Sequence, residues 1–92
     1  LSSSDTPALQ DPYGWIEYRR GNYEEAVTYL EPAAEGLPRH ALVQYHLGMT
    51  YHALNRTSEA RETLALALEL AGDDPLPQFD LAREVLAGMG NE

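Results

Sequence analysis

The chain has 92 residues, 15 acidic side chains against six basic ones for a net charge of −9, and no cysteine. That length makes one small domain with a modest core, and the missing cysteines exclude disulfides, thiolate metal sites and cysteine nucleophiles. All six basic residues are arginines on an acidic chain that repels phosphate, which argues against nucleic acid as a partner, and no apolar run nears the roughly 18 residues of a membrane span.

Residues 1–6 are serine-rich and lack apolar periodicity, which predicts a flexible N-terminal tail. From Pro7 or Ala8 the pattern turns helical. Leu9, Tyr13, Ile16 and Arg20 recur at spacings of three and four and share one helical face. Gly21 closes this helix, and Asn22 is placed to cap the next, with Glu24 and Glu25 in its first turn. The second helix carries Ala26, Val27, Leu30, Ala33 and Ala34 as its apolar stripe. Pro32 predicts a bend near residues 28–32 rather than a break, because the stripe continues beyond it. Gly36-Leu37-Pro38 ends the segment.

A second pair of helices is predicted from about His40 to Ala71. Its first member carries Leu47, Gly48 and Tyr51, Asn55 supplies the left-handed turn, and Thr57 or Ser58 caps the following helix. Ala60, Leu64, Ala67, Leu68 and Leu70 pack inward from that helix. Gly72-Asp73-Asp74-Pro75 then breaks the chain. A last helix runs from Leu76 or Gln78 to Ala87, ended by Gly88 and Gly90, and its polar side suits the end of a stack.

The two pairs repeat each other. Gly14 and Gly48 lie 34 residues apart, and the same offset carries Glu25 onto Glu59, Ala26 onto Ala60, Leu30 onto Leu64 and Ala33 onto Ala67. A fixed period of this size marks a stacked-repeat architecture, in which each unit buries its apolar face against its neighbours. A mid-helix glycine costs about 1 kcal/mol relative to alanine, so its recurrence predicts a close approach of two helices at Gly14 and Gly48.

These residues resemble the tetratricopeptide repeat, a 34-residue helix–turn–helix unit. Leu47-Gly48, Tyr51, Ala60, Leu64 and Ala67 fall at that family's spacing, as do Gly14, Gly21, Tyr23, Ala26, Leu30 and Ala33 in the first unit. The departures are Gln44 for tryptophan, Gly72 for proline, Tyr13 for leucine and Glu17 for tyrosine. The resemblance implies an all-α, right-handed helical-hairpin solenoid of about five helices. Residues 7–38 and 39–72 make its two repeats, and residues 73–92 a capping helix and tail. Tyr13–Gly21 and Gln44–Met49 also look like the last repeats of larger bacterial proteins of this class. Together with a first residue that is not methionine, this reads as a C-terminal fragment; its compartment, cytoplasmic or periplasmic, is left open.

In this family the first helix of each pair lines the concave groove. The resemblance therefore points to Trp15, Tyr18 and Arg19 from the first unit and to Leu42, Tyr45, His46, Met49 and His52 from the second as a surface for a protein or peptide. Tyr13, Tyr23 and Tyr51 are expected in the core. A clamp for a C-terminal carboxylate is not expected, since the chain has no lysine and offers Asp11, Trp15 and His46 at the matching places. The alternative to groove binding is self-association, or the capping of a longer array through the exposed first helix.

No constellation supports catalysis. His40, His46 and His52 are six apart, so each is turned by about 120° on a helix from the last, unlike metal-binding histidines four apart. Glu24-Glu25 and Asp73-Asp74 sit where helix starts and turns favour acids. The expectation is a non-enzymatic interaction module without cofactor or metal.

Overall fold

The computed structural model describes the backbone of residues 7–89 and the side chains of residues 10–89. Five helices follow in order: α1 (Pro7–Arg19), α2 (Tyr23–Gly36), α3 (Ala41–Ala53), α4 (Thr57–Ala71) and α5 (Pro77–Met89). The tail expected at residues 1–6 and the terminator expected at Gly90 lie outside the described residues. Helices α1 and α2 pair, as do α3 and α4; α3 then packs on α2, and α5 on α4. The odd-numbered helices also touch, α1 against α3 and α3 against α5, whereas α2 and α4 do not meet. The odd helices therefore line the tighter, inner face of the stack, and the even helices form its outer face. The result is elongated, 45 × 27 × 20 Å.

Both hairpins turn the same way. Gly21 (φ 84°) and Asn55 (φ 61°) adopt the left-handed conformation. At each turn the next amide reaches back to close the helix, Asn22 N–H to Glu17 O and Arg56 N–H to Tyr51 O, both at 2.9 Å. The caps differ from expectation. Asn22 occupies the N-cap of α2, but its amide donates to the Glu17 carboxylate at 2.9 Å instead of to the helix. The N-cap of α4 is Arg56, not Thr57 or Ser58. Helix α2 runs unbroken through Pro32, and α1 likewise contains Pro12. Gly88 lies inside α5 rather than ending it.

The core forms where helices of one pair cross. A Cβ on Gly14 would lie 2.6 Å from Leu30 Cγ, and one on Gly48 2.6 Å from Leu64 Cδ2. Leu30 and Leu64 are fully buried, with Ala26, Ala33, Ala60 and Ala67 beside them. The glycines are thus the holes that the two leucines fill.

The inward face of α1 differs from the stripe read in its sequence. Tyr13 is 53% and Ile16 51% exposed, so the expected core role of Tyr13 is corrected. Their counterparts one repeat later, Leu47 and Thr50, are buried. The physical reason is position: α3 has α2 packed on it, whereas no described helix precedes α1. Tyr51 is buried as expected, and Tyr23 is half-buried at the edge of the α1–α2 pair. Leu81 of α5 is also partly exposed.

Candidate functional site

The inner face is built around one row of rings. Trp15 is sandwiched between Tyr18 of its own helix, with centroids 4.4 Å apart and planes 8° apart, and His46 of α3, at 4.1 Å and 23°. Tyr23 extends the row from Tyr18 at 5.3 Å. Tyr45 continues it from Trp15 at 5.8 Å and meets Phe79 of α5 edge-on at 6.3 Å. Helical spacing places these residues: 15 and 18 lie one turn apart on α1, and the adjacent residues 45 and 46 of α3 bring their rings within 5.7 Å of each other and both against Trp15.

A polar contact fixes the row. His46 Nδ1 lies 2.7 Å from Asp11 Oδ1, both side chains mostly covered, and this joins α1 directly to α3. Burial pushes the hydroxyl of Tyr18 above its ordinary value, with Tyr23 nearby adding to it. Burial does the same for Tyr45, helped by Tyr18. Both phenols therefore stay protonated, as hydrogen-bond donors, across the whole neutral range.

The eight residues singled out in the sequence divide into two sets. Trp15, Tyr18, Leu42 and His46 are half-buried on the inner face, and Arg19 and His52 are exposed beside them. Tyr45 and Met49 are buried. Their expected exposure in a groove is corrected: both belong to the core cluster, and Phe79 of α5 packs edge-on against Tyr45. Asp11 was placed in the groove by the resemblance, but its contact with His46, 35 residues away, was not foreseen, nor was Phe79, which carries the row onto α5. A signal for the latter existed. Gln78, Leu81 and Ala82 stand 34 residues after Gln44, Leu47 and Gly48, so α5 continues the repeat as a third inner helix.

A second cluster lies on the outer side, between the two pairs. The Tyr51 hydroxyl donates to Glu31 Oε2 at 2.5 Å. The Arg56 guanidinium sits 4.7 Å over the Tyr51 ring and grips the Glu59 carboxylate at 2.7 and 2.8 Å. Burial, then the Glu31 hydrogen bond, raises the Tyr51 hydroxyl well above its usual range. This cluster is a structural bolt: every member is engaged by another. Among the described residues no group of three or more His, Cys, Asp or Glu side chains is arranged to hold a metal ion, and no helix is long and apolar enough to cross a membrane.

Residues 17–83 match the family model of the tetratricopeptide repeat. The chain belongs to the tetratricopeptide repeat family. A TPR repeat-containing protein of Pseudomonas aeruginosa is 46% identical over 44 residues. That alignment takes in 48% of this chain and only 7% of the curated relative. The solution structure of a tetratricopeptide repeat domain protein from Salinibacter ruber shares the fold, with a TM-score of 0.75 at 21% identity. It matches 98% of this chain and 92% of its own. Tetratricopeptide repeats are in general protein-interaction modules and non-catalytic scaffolds.

Proposed function

We propose that this chain is a non-catalytic adaptor that holds a peptide or helix of a partner protein on the inner face made by α1, α3 and α5. The observation that carries the reading is the aromatic row. Trp15, Tyr18 and His46 remain partly accessible although they are locked in register by stacking and by Asp11. Rigid aromatic groups bury a large area at little entropic cost, which is why they serve as anchors in interfaces. Arg19 and His52 form the exposed margin of this surface. Trp15 contributes its edge rather than a face, since both faces of the indole are already stacked.

Photo-crosslinking tests this. A benzoylphenylalanine placed at His52 is expected to cross-link a discrete partner in lysate of the source organism, whereas one at Glu62 on α4 is not. Equal products from both positions, or products from Glu62 alone, would move the contact to the outer face.

One observation favours a second reading, stacking through the end of the array. Tyr13 and Ile16 are exposed where their repeat counterparts are covered by a helix. A second copy, or another repeat of a longer protein, would cover them in the same way. A solution mass near 10 kDa that does not change with concentration contradicts self-association, and a mass of twice that supports it.

A further inference from the structure

We infer that α5 is a detachable flap on the inner face: it leaves as a unit on the connection formed by residues 72–76, and its leaving bares the ring of Tyr45. The use of this motion rests on the adaptor reading above, whose surface gains a closed and an open form. Helices α1 and α3 are each crossed by the helix that follows, at Gly14 and Gly48. Ala82 stands at the matching place of α5, but among the described residues no helix follows, and α5 meets only α4 and α3. It is buried along one stripe, at Phe79, Ala82 and Met89. Elsewhere Leu81 is partly exposed, and a Cβ on Gly88 would meet nothing within 4 Å.

The connection to α4 is exposed throughout. Gly72 turns it with a φ of 60°, and its hydrogen bonds are local: Asp74 N–H to Ala71 O and Leu76 N–H to Asp74 Oδ1, both at 3.1 Å. At the far end Arg61 of α4 donates to the Met89 carbonyl at 3.2 Å and clasps the last turn. Asp80 and Arg83 pair with each other within α5 at 2.8 Å. Phe79 meets the buried Tyr45 edge-on at 6.3 Å, and Tyr45 belongs to the same row as Trp15. Segments with few buried apolar contacts open before the rest of a fold. A helix of 13 residues is marginal alone in water, so α5 loses its backbone hydrogen bonds as it leaves. A partner that reaches Tyr45 binds the open form, at an affinity reduced by the share of that form.

Hydrogen exchange of the unaltered chain tests this. The amides of α5 are expected to exchange together, about tenfold faster than those of α3 or α4. Arg61→Met keeps the apolar stem and removes the clasp; it should speed α5 about fivefold and leave α3 unchanged. Gly88→Ala should slow α5 about twofold. The chain has no cysteine, so single thiols report on the buried stripe itself. Ala82→Cys and Ala33→Cys replace fully buried alanines, and dithiobisnitrobenzoate is expected to label the first about tenfold faster. Exchange graded inward from Met89, the mark of a fraying end, overturns the inference. So does α5 exchange no faster than that of α3 or unaltered by Arg61→Met, and so does equal labelling of the two thiols. If α5 behaves as expected and His52 yields no cross-link, the flap stands and the adaptor reading falls. A cross-link from His52 with α5 as protected as α3 removes the flap and leaves the adaptor reading.

Discussion

A Cβ on Gly48 would lie 2.6 Å from Leu64 Cδ2 and 3.1 Å from the Leu64 backbone nitrogen. The leucine tip can turn away, but the backbone of α4 must move. Alanine's helix propensity returns about 1 kcal/mol, while overpacking of this kind costs typically 1–3 kcal/mol. Gly48→Ala is therefore expected to destabilise by about 1 kcal/mol net in urea unfolding. Gly88→Ala is the control: it lies in α5 with nothing within 4 Å of its Cβ, so it should stabilise by a few tenths of a kcal/mol. The close approach at Gly14 and Gly48 was legible because a costly residue recurs at the period. The Asp11–His46 contact was not, since it depends on how α1 and α3 slide past each other, and no local pattern encodes that register.

Between elements, the bolt formed by Glu31, Tyr51, Arg56 and Glu59 joins α2 to the second pair. Tyr51→Phe removes its one hydrogen bond to a carboxylate, and a loss of about 1–2 kcal/mol is expected. The same hydroxyl makes stability depend on alkaline pH. Burial and Glu31 raise it above the ordinary tyrosine value of 10.0. The unfolded chain releases its proton near that value while the folded chain keeps it. Stability is therefore full below pH 10 and falls as the pH rises above it. Tyr18 and Tyr45 shift in the same direction, so Tyr51→Phe should flatten the decline without abolishing it. Melting temperatures from about pH 8 to about pH 11 measure the slope; an equal slope in the variant contradicts the assignment. Helix α3 also explains why apolar stripes misled at this scale. It is buried nearly all round from Val43 to Tyr51, because α1, α2, α4 and α5 all touch it. A helix covered on every side has no single stripe to read, so Tyr45 and Met49 look no different from surface anchors until the helices around α3 are in place.

Across the whole molecule the repeat makes positions comparable that differ only in what covers them. Ile16 and Thr50 are counterparts, one half-exposed at the open end and one fully buried in the stack. Ile16→Lys should change stability by no more than about 0.5 kcal/mol. Thr50→Lys places an unpaired charge in the core and should cost several kcal/mol, enough to threaten folding. The period itself, the two pairs and the last helix were all legible in the sequence, because stacking units must repeat their packing residues. An exposed first helix was expected, but which of its residues stay uncovered was not legible, since Tyr13 and Ile16 have the same apolar character as residues that are covered.

The adaptor account stands or falls on which face of the stack meets its partner. The direct measurement is affinity capture from lysate of the source organism with three folded baits: the unaltered chain, Arg19→Glu/His52→Glu on the inner face, and Glu24→Arg/Glu62→Arg on the outer face. The account predicts a discrete partner held by the unaltered chain and by the outer-face variant, and lost with the inner-face variant. A partner kept by the inner-face variant and lost with the outer-face one would contradict it.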